Sequence, residues 1–380
     1  MLKKLCIISS YYPSESDPFY SFVGTLVSAI ADSGVECHVI SPVSNMEKAH
    51  RAVSREEVTP HGATIHVYCP SYIIYPSRNI LGFQTYRLTV FSKRKAIKDT
   101  YDKYIKDCDA IYSHFIDSGV YAAWLSKCTG IPAFVAVGES NITNKELSYT
   151  IYKRELHEHL RGVITVSSQL KDDVIKQDIF SNKTPIEVFP NGIDTDLFKP
   201  LDKDECRKKI GVAKDDFVVS FVGGFIKRKG FDKLQEVIKL HPDWKCILIG
   251  TGDVPVTLPP EQIVYCGRVA HENIPEYLSA ADVFVLPTLA EGCCNAIVEA
   301  MGCGLPIVSS NRSFNDDILQ SSYSIRVNPE SIDEINGALM ELEHSIQKRK
   351  IMSEESAKAG RYFSIRNRSN NILQFMELKK

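Results

Sequence analysis

Short apolar runs alternate with longer amphipathic stretches along the whole chain. In the first half, the apolar runs have the length of buried strands, and the stretches between them have helical spacing. The predicted strands are 5–9, 36–40, 63–68, 110–112, 133–137 and 163–166, and the predicted helices are 22–31, 90–104 and 121–125. This alternation predicts a parallel sheet with helices on both faces.

The same pattern restarts after an Asn-Gly pair at Asn191 and Gly192. The predicted strands of this second half are 217–222, 246–249, 263–265, 283–286, 307–309 and 324–327. A chain of 380 residues is too long for one core and suits two domains. The polar segment 181–185 marks the expected boundary. The sequence therefore predicts an α/β domain over 1–184, a second of the same class over 185–362, and a final helical segment over 363–380.

Composition narrows the classes of partner. The net charge is -2 and the charged fraction 24%, so no global attraction to nucleic acid or an anionic membrane is expected. No stretch approaches the roughly 20 apolar residues of a membrane span. The N-terminal run MLKKLCIISSYYPSE is interpreted as a first strand and not a signal peptide. The eleven cysteines lack paired C-x-x-C spacing, so neither a disulfide framework nor a zinc site is predicted. We expect a cytoplasmic protein.

Two common nucleotide-binding signatures are missing from the sequence. There is no G-x-x-x-x-G-K-[ST] loop, and GTGDVP, which begins at Gly250, lacks the third small residue of a dinucleotide fingerprint. ATPase and dehydrogenase functions are therefore disfavoured.

The segment EGCCNAIVE, from Glu291 to Glu299, carries the clearest chemistry. It follows the apolar run DVFVLP and precedes AMGCGLPIVSS, so a strand, loop, helix and strand are predicted, with Asn295 as the helix cap. Ligands of open parallel sheets bind at the carboxyl ends of the strands. A helix N-terminus receives anionic oxygens, and carboxylates accept hydrogen bonds from sugar hydroxyls. The segment thus suits a phosphorylated, polyhydroxylated ligand.

Four motifs, in their order along the chain, resemble those of the retaining glycosyltransferases of family 4, which have the GT-B fold. They are ITVSSQL (164–170), FPNGIDTDLF (189–198), SFVGGFIKRKGFDKL (220–234) and the Glu291 to Glu299 segment. The resemblance implies two Rossmann-like, doubly wound domains facing across a cleft, with the segment 363–380 crossing back to the first. It implies transfer of a sugar from a nucleotide donor, expected to be a UDP-sugar.

On the donor side, the resemblance implies that Glu299 binds the ribose hydroxyls and that Glu291 approaches the donor sugar. Gly223, Gly224 and Lys229 would receive the pyrophosphate, although a solvated basic turn is the structural alternative. The family usually has arginine where Gly224 stands, and Arg228 is a candidate replacement. The vicinal pair Cys293 and Cys294 also allows a redox interpretation, which we disfavour. The predicted donor-binding set is completed by Arg268, Val269, Cys294, Asn295 and Ala296.

On the acceptor side, His114 is predicted to end a strand. A lone histidine is commonly structural, but the family has one at this strand end that contacts the transferred sugar or acceptor. Glu139 and Ser140 end the next strand and are further candidates. Relatives carry a Gly-Gly loop after the first strand, which is absent here, so the role of Ser21 is open.

A basic stretch follows exposed apolar positions in the first half. Its residues are Lys93, Arg94, Lys95 and Lys98, after the apolar stretches 72–75 and 80–83. Such a helix can rest on an anionic membrane surface, or it can be a solvated face beside core residues. Both interpretations stay open here.

The expected function is metal-independent transfer, with retention of configuration, to a glycan or lipid-linked acceptor in cell-surface polysaccharide biosynthesis. No Asp-x-Asp cluster is evident to hold a metal, and no cofactor is expected. One alternative is an epimerase or inverting transferase of the same fold. Another is a catalytically silent subunit that binds a nucleotide-sugar, for which the departure at Gly224 is the best support.

Overall fold

The computed structural model describes residues 2–14, 20–46, 54–80, 83–139 and 150–380. These residues form two compact units. The first contains residues 1–166, 170–189 and 369–380, and the second contains 167–169 and 190–368. The strand at 186–188, which was not predicted, pairs with the first sheet, so the first unit extends past the expected boundary at residue 184.

The first unit is built on an eight-stranded sheet. Its elements are β1 (Lys4–Ser9), α1 (Ser21–Asp32), β2 (Glu36–Ile40), β3 (Val43–Ser44), β4 (Arg55–Val58), β5 (Thr64–Tyr68), β6 (Ser71–Tyr72), β7 (Asn79–Ile80), β8 (Phe83–Gln84), α2 (Tyr86–Thr100), β9 (Ala110–His114), α3 (Ile116–Thr129), β10 (Ala133–Val137), α4 (Thr150–His159), β11 (Leu160–Thr165), α5 (Ser168–Lys176) and β12 (Ile186–Val188). The strand order is β12-β11-β10-β9-β1-β2-β5-β4.

The order of strands reverses between β1 and β9. Neighbouring strands are parallel from β12 to β5, and the edge strand β4 is antiparallel to β5. This antiparallel edge was not predicted. Ser9 pairs with His114, so the carboxyl ends of β1 and β9 lie side by side. A binding crevice in a doubly wound sheet forms at such a reversal.

The C-terminal helix packs on the first sheet. Residues from Ser369 onward belong to the first unit. The ring of Phe375 lies 6.0 Å from that of Phe134 in β10, and it fills the space that a Cβ on Gly162 in β11 would need. The Leu2 amide donates to Glu377, which holds the helix end beside β1. The helix is therefore part of the core of this unit.

The second unit is a six-stranded parallel sheet. Its elements are α6 (Lys203–Ile210), β13 (Val218–Val222), α7 (Phe231–Ile238), β14 (Lys245–Ile249), β15 (Ile263–Gly267), α8 (Ile274–Ala280), β16 (Val283–Leu286), α9 (Asn295–Gly302), β17 (Ile307–Ser310), β18 (Ser324–Val327), α10 (Ile332–His344) and α11 (Ile346–Tyr362). The C-terminal helix, α12 (Ile365–Lys379), begins in this unit and belongs to the first unit from Ser369 onward. Short 3-10 turns occur at Lys227–Lys229 and His271–Asn273. The order β15-β14-β13-β16-β17-β18 reverses between β13 and β16.

The predicted strands all occur, with ends shifted by a few residues. The apolar periodicity missed α4 and α5 and underestimated α3, because α3 is apolar on most of its surface and gives little helical amphipathicity. One cap was wrong. Cys294 is the N-cap residue of α9, and Asn295 is its first helical residue. The Asn295 side-chain oxygen instead accepts a hydrogen bond from the side-chain Nδ2 of Asn191 at 2.7 Å.

Candidate nucleotide-sugar site

Two loops meet at the strand reversal of the second unit. One follows β13 and contains Gly223 to Gly230, and the other follows β16 and contains Pro287 to Glu291. Leu289 donates its backbone N–H to the carbonyl of Arg228 at 2.8 Å. Gly230 has φ of 69°, and a Cβ there would lie 2.2 Å from the Pro287 carbonyl oxygen. Glycine is required at this position because the loops approach so closely.

A cluster of charged side chains lies between these loops. Lys229 forms an ion pair with Glu291, and Arg228 approaches the same carboxylate oxygen at 3.2 Å. Thr288 donates to that oxygen at 3.1 Å. The Lys229 and Glu291 side chains are 15% and 11% exposed, so the pair is largely shielded but open to a ligand. The structure thus brings together Lys229, Arg228 and Glu291, which the sequence had suggested separately.

The lysine remains charged in this setting. Burial acts to lower the pKa of Lys229, but the charge of Glu291 and its contact with the ammonium act in the opposite direction, and the pKa is raised. Burial raises the pKa of Cys294 to about 11 and that of Cys293 to about 12. Both thiols are therefore protonated and unreactive near neutral pH, which disfavours the redox interpretation. A cation beside a dipole-bearing helix start suits a phosphate.

Glu299 lies on α9 and is 12% exposed. Its Oε1 atom is 3.0 Å from His271 Nε2. The hydrogen bond to Glu299 raises the pKa of His271, so the imidazolium form is favoured. A carboxylate has two oxygens and about four lone-pair sites, so Glu299 retains capacity to accept from a vicinal diol.

The glycines after β13 differ in their surroundings. Gly223 has φ of 152°. Gly250 and Gly252 lie against the same loop, where a Cβ would come within 1.9 Å of the Gly223 carbonyl oxygen and 2.3 Å of the Phe225 carbonyl oxygen. A Cβ on Gly224 would meet only ordinary contacts at 3.8 Å and beyond. The space around Gly224 therefore accommodates a Cβ atom.

The remaining predicted donor residues lie on two elements. Arg268 and Val269 follow β15, and Arg268 is exposed, with its Nε 3.3 Å from Thr251 Oγ1. Ala296 occupies the second position of α9, directly after Asn295. Within the described part of the second unit, neither Arg268 nor Val269 forms a hydrogen bond or ion pair with the Lys229 and Glu291 cluster, so their roles stay predictions.

In the first unit, His114 ends β9 and is buried, with 4% exposure. Its ring lies 4.8 Å from that of Phe115 and 5.4 Å from that of Phe22. Tyr112 lies beside it, with the hydroxyl 3.4 Å from Nδ1. Phe115 has φ of 67°, an uncommon value for a bulky residue, and it forms the sharp turn between β9 and α3.

Glu139 follows β10 and accepts two backbone hydrogen bonds. Its Oε1 accepts from the Ile116 amide at 2.7 Å, at the start of α3, and its Oε2 from the Gly138 amide at 2.9 Å. Burial raises the pKa of Glu139 to about 7, although the amides favour the ionised form. Ser21 is the exposed first residue of α1. Ser140 lies outside the described residues.

The basic residues of α2 have partners within the first unit. Lys93 lies 4.5 Å from the ring of Tyr121, and Arg94 pairs with the buried Glu155. Lys95 pairs with Asp99, and Lys98 pairs with Asp102. These contacts favour a structural role for the basic stretch. The nearby apolar side chains of Ile73, Ile74, Leu88 and Phe91 are nevertheless exposed.

The sequence reasoning missed three residues that contact the predicted ones: Thr288, His271 and Asn191. Thr288 and His271 bind carboxylates that were predicted, but they lie in turns without a periodic signal. Asn191 belongs to the predicted Asn-Gly turn, and its side chain also contacts Cys293 and Asn295. The signal for Gly250 and Gly252 was present in GTGDVP, which indicates a close backbone approach.

The sequence matches two family descriptions over adjacent regions. Residues 21–197 match "Glycosyltransferase Family 4", and residues 202–359 match "Glycosyl transferases group 1". The chain is a family 4-like glycosyltransferase with the GT-B fold.

Several known proteins are similar to this chain. TuaC of Bacillus subtilis (strain 168), which is named as a teichuronic acid biosynthesis glycosyltransferase, is 27% identical over 90% of this chain and 89% of its own. The Escherichia coli UDP-Gal:alpha-D-GlcNAc-diphosphoundecaprenol alpha-1,3-galactosyltransferase is 26% identical over 57% of this chain and 61% of its own.

Solved structures share the fold at low sequence identity. Sucrose-phosphate synthase from Thermosynechococcus elongatus superposes with a TM-score of 0.76 at 17% identity, covering 99% of this chain and 98% of the other. Anabaena Alr3699/HepE in complex with UDP superposes with a TM-score of 0.72 at 17% identity, covering 99% of this chain and 100% of the other. Of the helices in the described part of our chain, none has both the length and the apolar character needed to cross a bilayer.

Proposed function

We propose that this protein transfers a sugar from a UDP-sugar to a lipid-linked saccharide or growing glycan, with retention of anomeric configuration, during cell-surface polysaccharide synthesis. The observation that carries the proposal is the cluster of Lys229, Arg228 and Glu291 at the strand reversal of the second unit. Two cations and a carboxylate beside a helix start match the pyrophosphate and sugar of such a donor.

In the proposed reaction, the bond between the anomeric carbon and the diphosphate breaks, and the diphosphate gains negative charge. Lys229 and Arg228 stabilise this charge, with help from backbone amides near Cys294 and Asn295. Groups placed where charge develops each contribute roughly 3 to 4 kcal/mol. These residues would take the place of a metal. The departing phosphate accepts the proton of the attacking acceptor hydroxyl, so no separate general base is assigned.

The Lys229 and Glu291 ion pair has a direct consequence for binding. The incoming diphosphate competes with Glu291 for the lysine, which frees the carboxylate to accept hydrogen bonds from the donor sugar. Glu299 would accept from the two ribose hydroxyls, and His271 holds that carboxylate in place. We assign His114 to the transferred sugar, as the family resemblance implies, and Glu139 to the acceptor side, because it follows the next strand.

The names of related proteins support the choice of donor and acceptor class. TuaC is named for teichuronic acid biosynthesis, and the Escherichia coli relative is named for transfer from UDP-Gal to a diphosphoundecaprenol-linked sugar. A lipid-linked acceptor would require contact with a membrane surface, for which the exposed side chains of Ile73, Ile74 and Phe91 are candidates. We place the protein at the cytoplasmic face of such a membrane.

A second candidate function is that of a silent subunit that binds a nucleotide-sugar for a partner enzyme. It is favoured by the absence of the usual arginine at Gly224. An epimerase or inverting transferase of the same fold is a further alternative. Their products distinguish these alternatives from the proposed retaining transferase. A silent subunit forms no product, and an inverting transferase gives the opposite anomer.

The experiment incubates the purified chain with a panel of UDP-, GDP- and ADP-sugars. Thermal unfolding first identifies the donor, since a ligand at 100 times its dissociation constant stabilises by about 2.7 kcal/mol. Transfer to an undecaprenyl-diphosphate-linked sugar follows, and NMR gives the anomeric configuration. We expect stabilisation by a UDP-sugar and a product with the donor's configuration. Binding without transfer or donor hydrolysis would favour the silent subunit.

A further inference from the structure

Three side chains with metal-ligating atoms face each other on adjacent strands of the first unit. Glu36 and His38 are two residues apart on β2, so they share one face of the sheet. His66 on β5 lies directly opposite His38 in the strand register. One ligand atom from each of the three residues lies within 4.8 Å of the others. Among the described residues, no other group of three or more such side chains has its ligand atoms this close together.

Each histidine has a polar neighbour at its Nδ1 atom. His66 Nδ1 lies 3.1 Å from Glu56 on the edge strand β4, which leaves Nε2 available. His38 Nδ1 lies 3.2 Å from the Tyr68 hydroxyl, and its Nε2 faces Glu36 at 2.6 Å. Metal-ligating histidines almost always bond through their second nitrogen to a carboxylate or another acceptor, which fixes the ring.

A neighbouring cation and the exposure of the carboxylates bear on access to these side chains. Lys4 lies 3.6 Å from the Glu36 carboxylate and is the nearest competing cation. Glu36 and Glu56 are 50% and 70% exposed, so an ion can enter from solvent.

We propose that Glu36, His38 and His66 bind one zinc ion, with water in the fourth position. The ligands are His38 Nε2, His66 Nε2 and one oxygen of Glu36, a combination of two histidines and one glutamate that zinc accepts in tetrahedral geometry. On zinc binding, His38 carries its proton on Nδ1 instead of Nε2. The Nδ1–H group then donates a hydrogen bond to the Tyr68 hydroxyl oxygen. Glu56 orients His66 and does not bind the ion.

The ion would hold the edge of the sheet together. The zinc joins β2 to β5, and the contact of Glu56 with His66 Nδ1 at 3.1 Å connects β4 to the same site. An exposed edge strand is the least supported part of a sheet, so a cross-link there stabilises it. These ligands lie in the first unit, and the proposed donor residues lie in the second, so the proposal does not depend on sugar transfer.

The test measures zinc binding to the full chain by competition with a chromophoric chelator, after metal removal and in the presence of a reductant. We expect one zinc per chain, with a rise in the melting temperature. His38→Gln and His66→Gln should each weaken binding at least about tenfold, and Glu56→Gln should weaken it about tenfold through loss of orientation. His61→Gln is the matched control, because His61 is exposed on the turn between β4 and β5.

Cobalt provides a second measurement that distinguishes this site from surface thiols. Cobalt held by nitrogen and oxygen gives visible bands without the thiolate-to-metal band that binding at Cys128 or Cys266 would add. The proposal is supported if the bands appear in the wild type and in His61→Gln but not in His66→Gln. It is overturned if the wild type binds no zinc, or if His66→Gln and the wild type bind zinc equally.

Discussion

Lys229 and Glu291 form an ion pair that joins the loop after β13 to the loop after β16, at the point where the strand order of the second unit reverses. In the proposed site, the lysine binds the diphosphate and the carboxylate binds the donor sugar. Before the donor binds, the two side chains pair with each other. Removing the lysine should affect catalysis more than folding, because the two loops are also joined by the hydrogen bond from the Leu289 backbone N–H to the Arg228 carbonyl.

Lys229→Ala should lower turnover at saturating donor by about a hundredfold, because the cation acts on charge that grows as the sugar departs. Lys227→Ala is the matched control, since Lys227 is exposed in the same 3-10 turn. Initial rates of both variants check the prediction. Full turnover in Lys229→Ala would remove the lysine from the reaction.

Gly224→Arg should fold normally, because a Cβ there meets only ordinary contacts. If Arg228 supplies the charge that relatives place at this position, Arg228→Ala should lower turnover, and Gly224→Arg should restore much of it in the double variant. The rates of the wild type, both single variants and the double variant form the test. A double variant no faster than Arg228→Ala would show that the two positions are not equivalent.

His114→Gln should leave UDP affinity nearly intact and depress sugar transfer roughly 10- to 100-fold, since the proposed role is contact with the transferred sugar. Glutamine retains polarity and much of the volume among the rings of Phe22 and Phe115. Calorimetry and initial rates on the same preparation separate the interpretations. Loss of both properties would indicate a structural histidine, and loss of neither would exclude it from the site.

Glu139 should make the first unit less stable as pH rises from about 4.5 to about 7. Its folded pKa is about 7 and its ordinary value 4.5, so the folded state binds more protons in this window. The stabilisation that the protonated Glu139 carboxyl provides is complete below pH 4.5 and is lost above about pH 7. The free energy of unfolding should fall by an amount on the order of 2 kcal/mol across this range.

The measurement uses urea unfolding at pH 5 and pH 7.5 in a Trp244→Phe background, where Trp124 in α3 reports on the first unit. Glu139→Gln should reduce the pH dependence. It should also lower stability at pH 5, because the amide has one acceptor oxygen for two backbone donors. A variant with the full wild-type pH dependence would show that another group titrates.

The strands could be predicted because buried parallel strands are continuous apolar runs, such as Val283–Leu286. Local periodicity could not show β4, whose residues alternate weakly at an exposed edge, or α3, which is apolar on most sides. The pairing of strands also depends on distant segments, so the reversal between β13 and β16 was implied by family resemblance and not by the pattern.

The site was predictable only in part. Spacing and resemblance predict roles for Glu291, Glu299 and Lys229, and the structure shows that Lys229 and Glu291 are in contact. Thr288 and His271 were not identified, because a turn residue gains meaning only when its neighbour in space is known. Asn295 was assigned a capping role from its position, but the close approach of Asn191 gives its side chain a different partner.

The most direct test of the proposed donor site is a calorimetric titration of UDP into the wild type, Glu299→Ala and Glu272→Ala, in which Glu272 is an exposed glutamate beside His271. We expect the wild type and Glu272→Ala to bind UDP equally. Glu299→Ala should bind roughly 10- to 100-fold more weakly, because the ribose hydroxyls lose a charged acceptor. Equal UDP affinity in Glu299→Ala and the wild type would contradict the assignment of the donor site to this carboxylate.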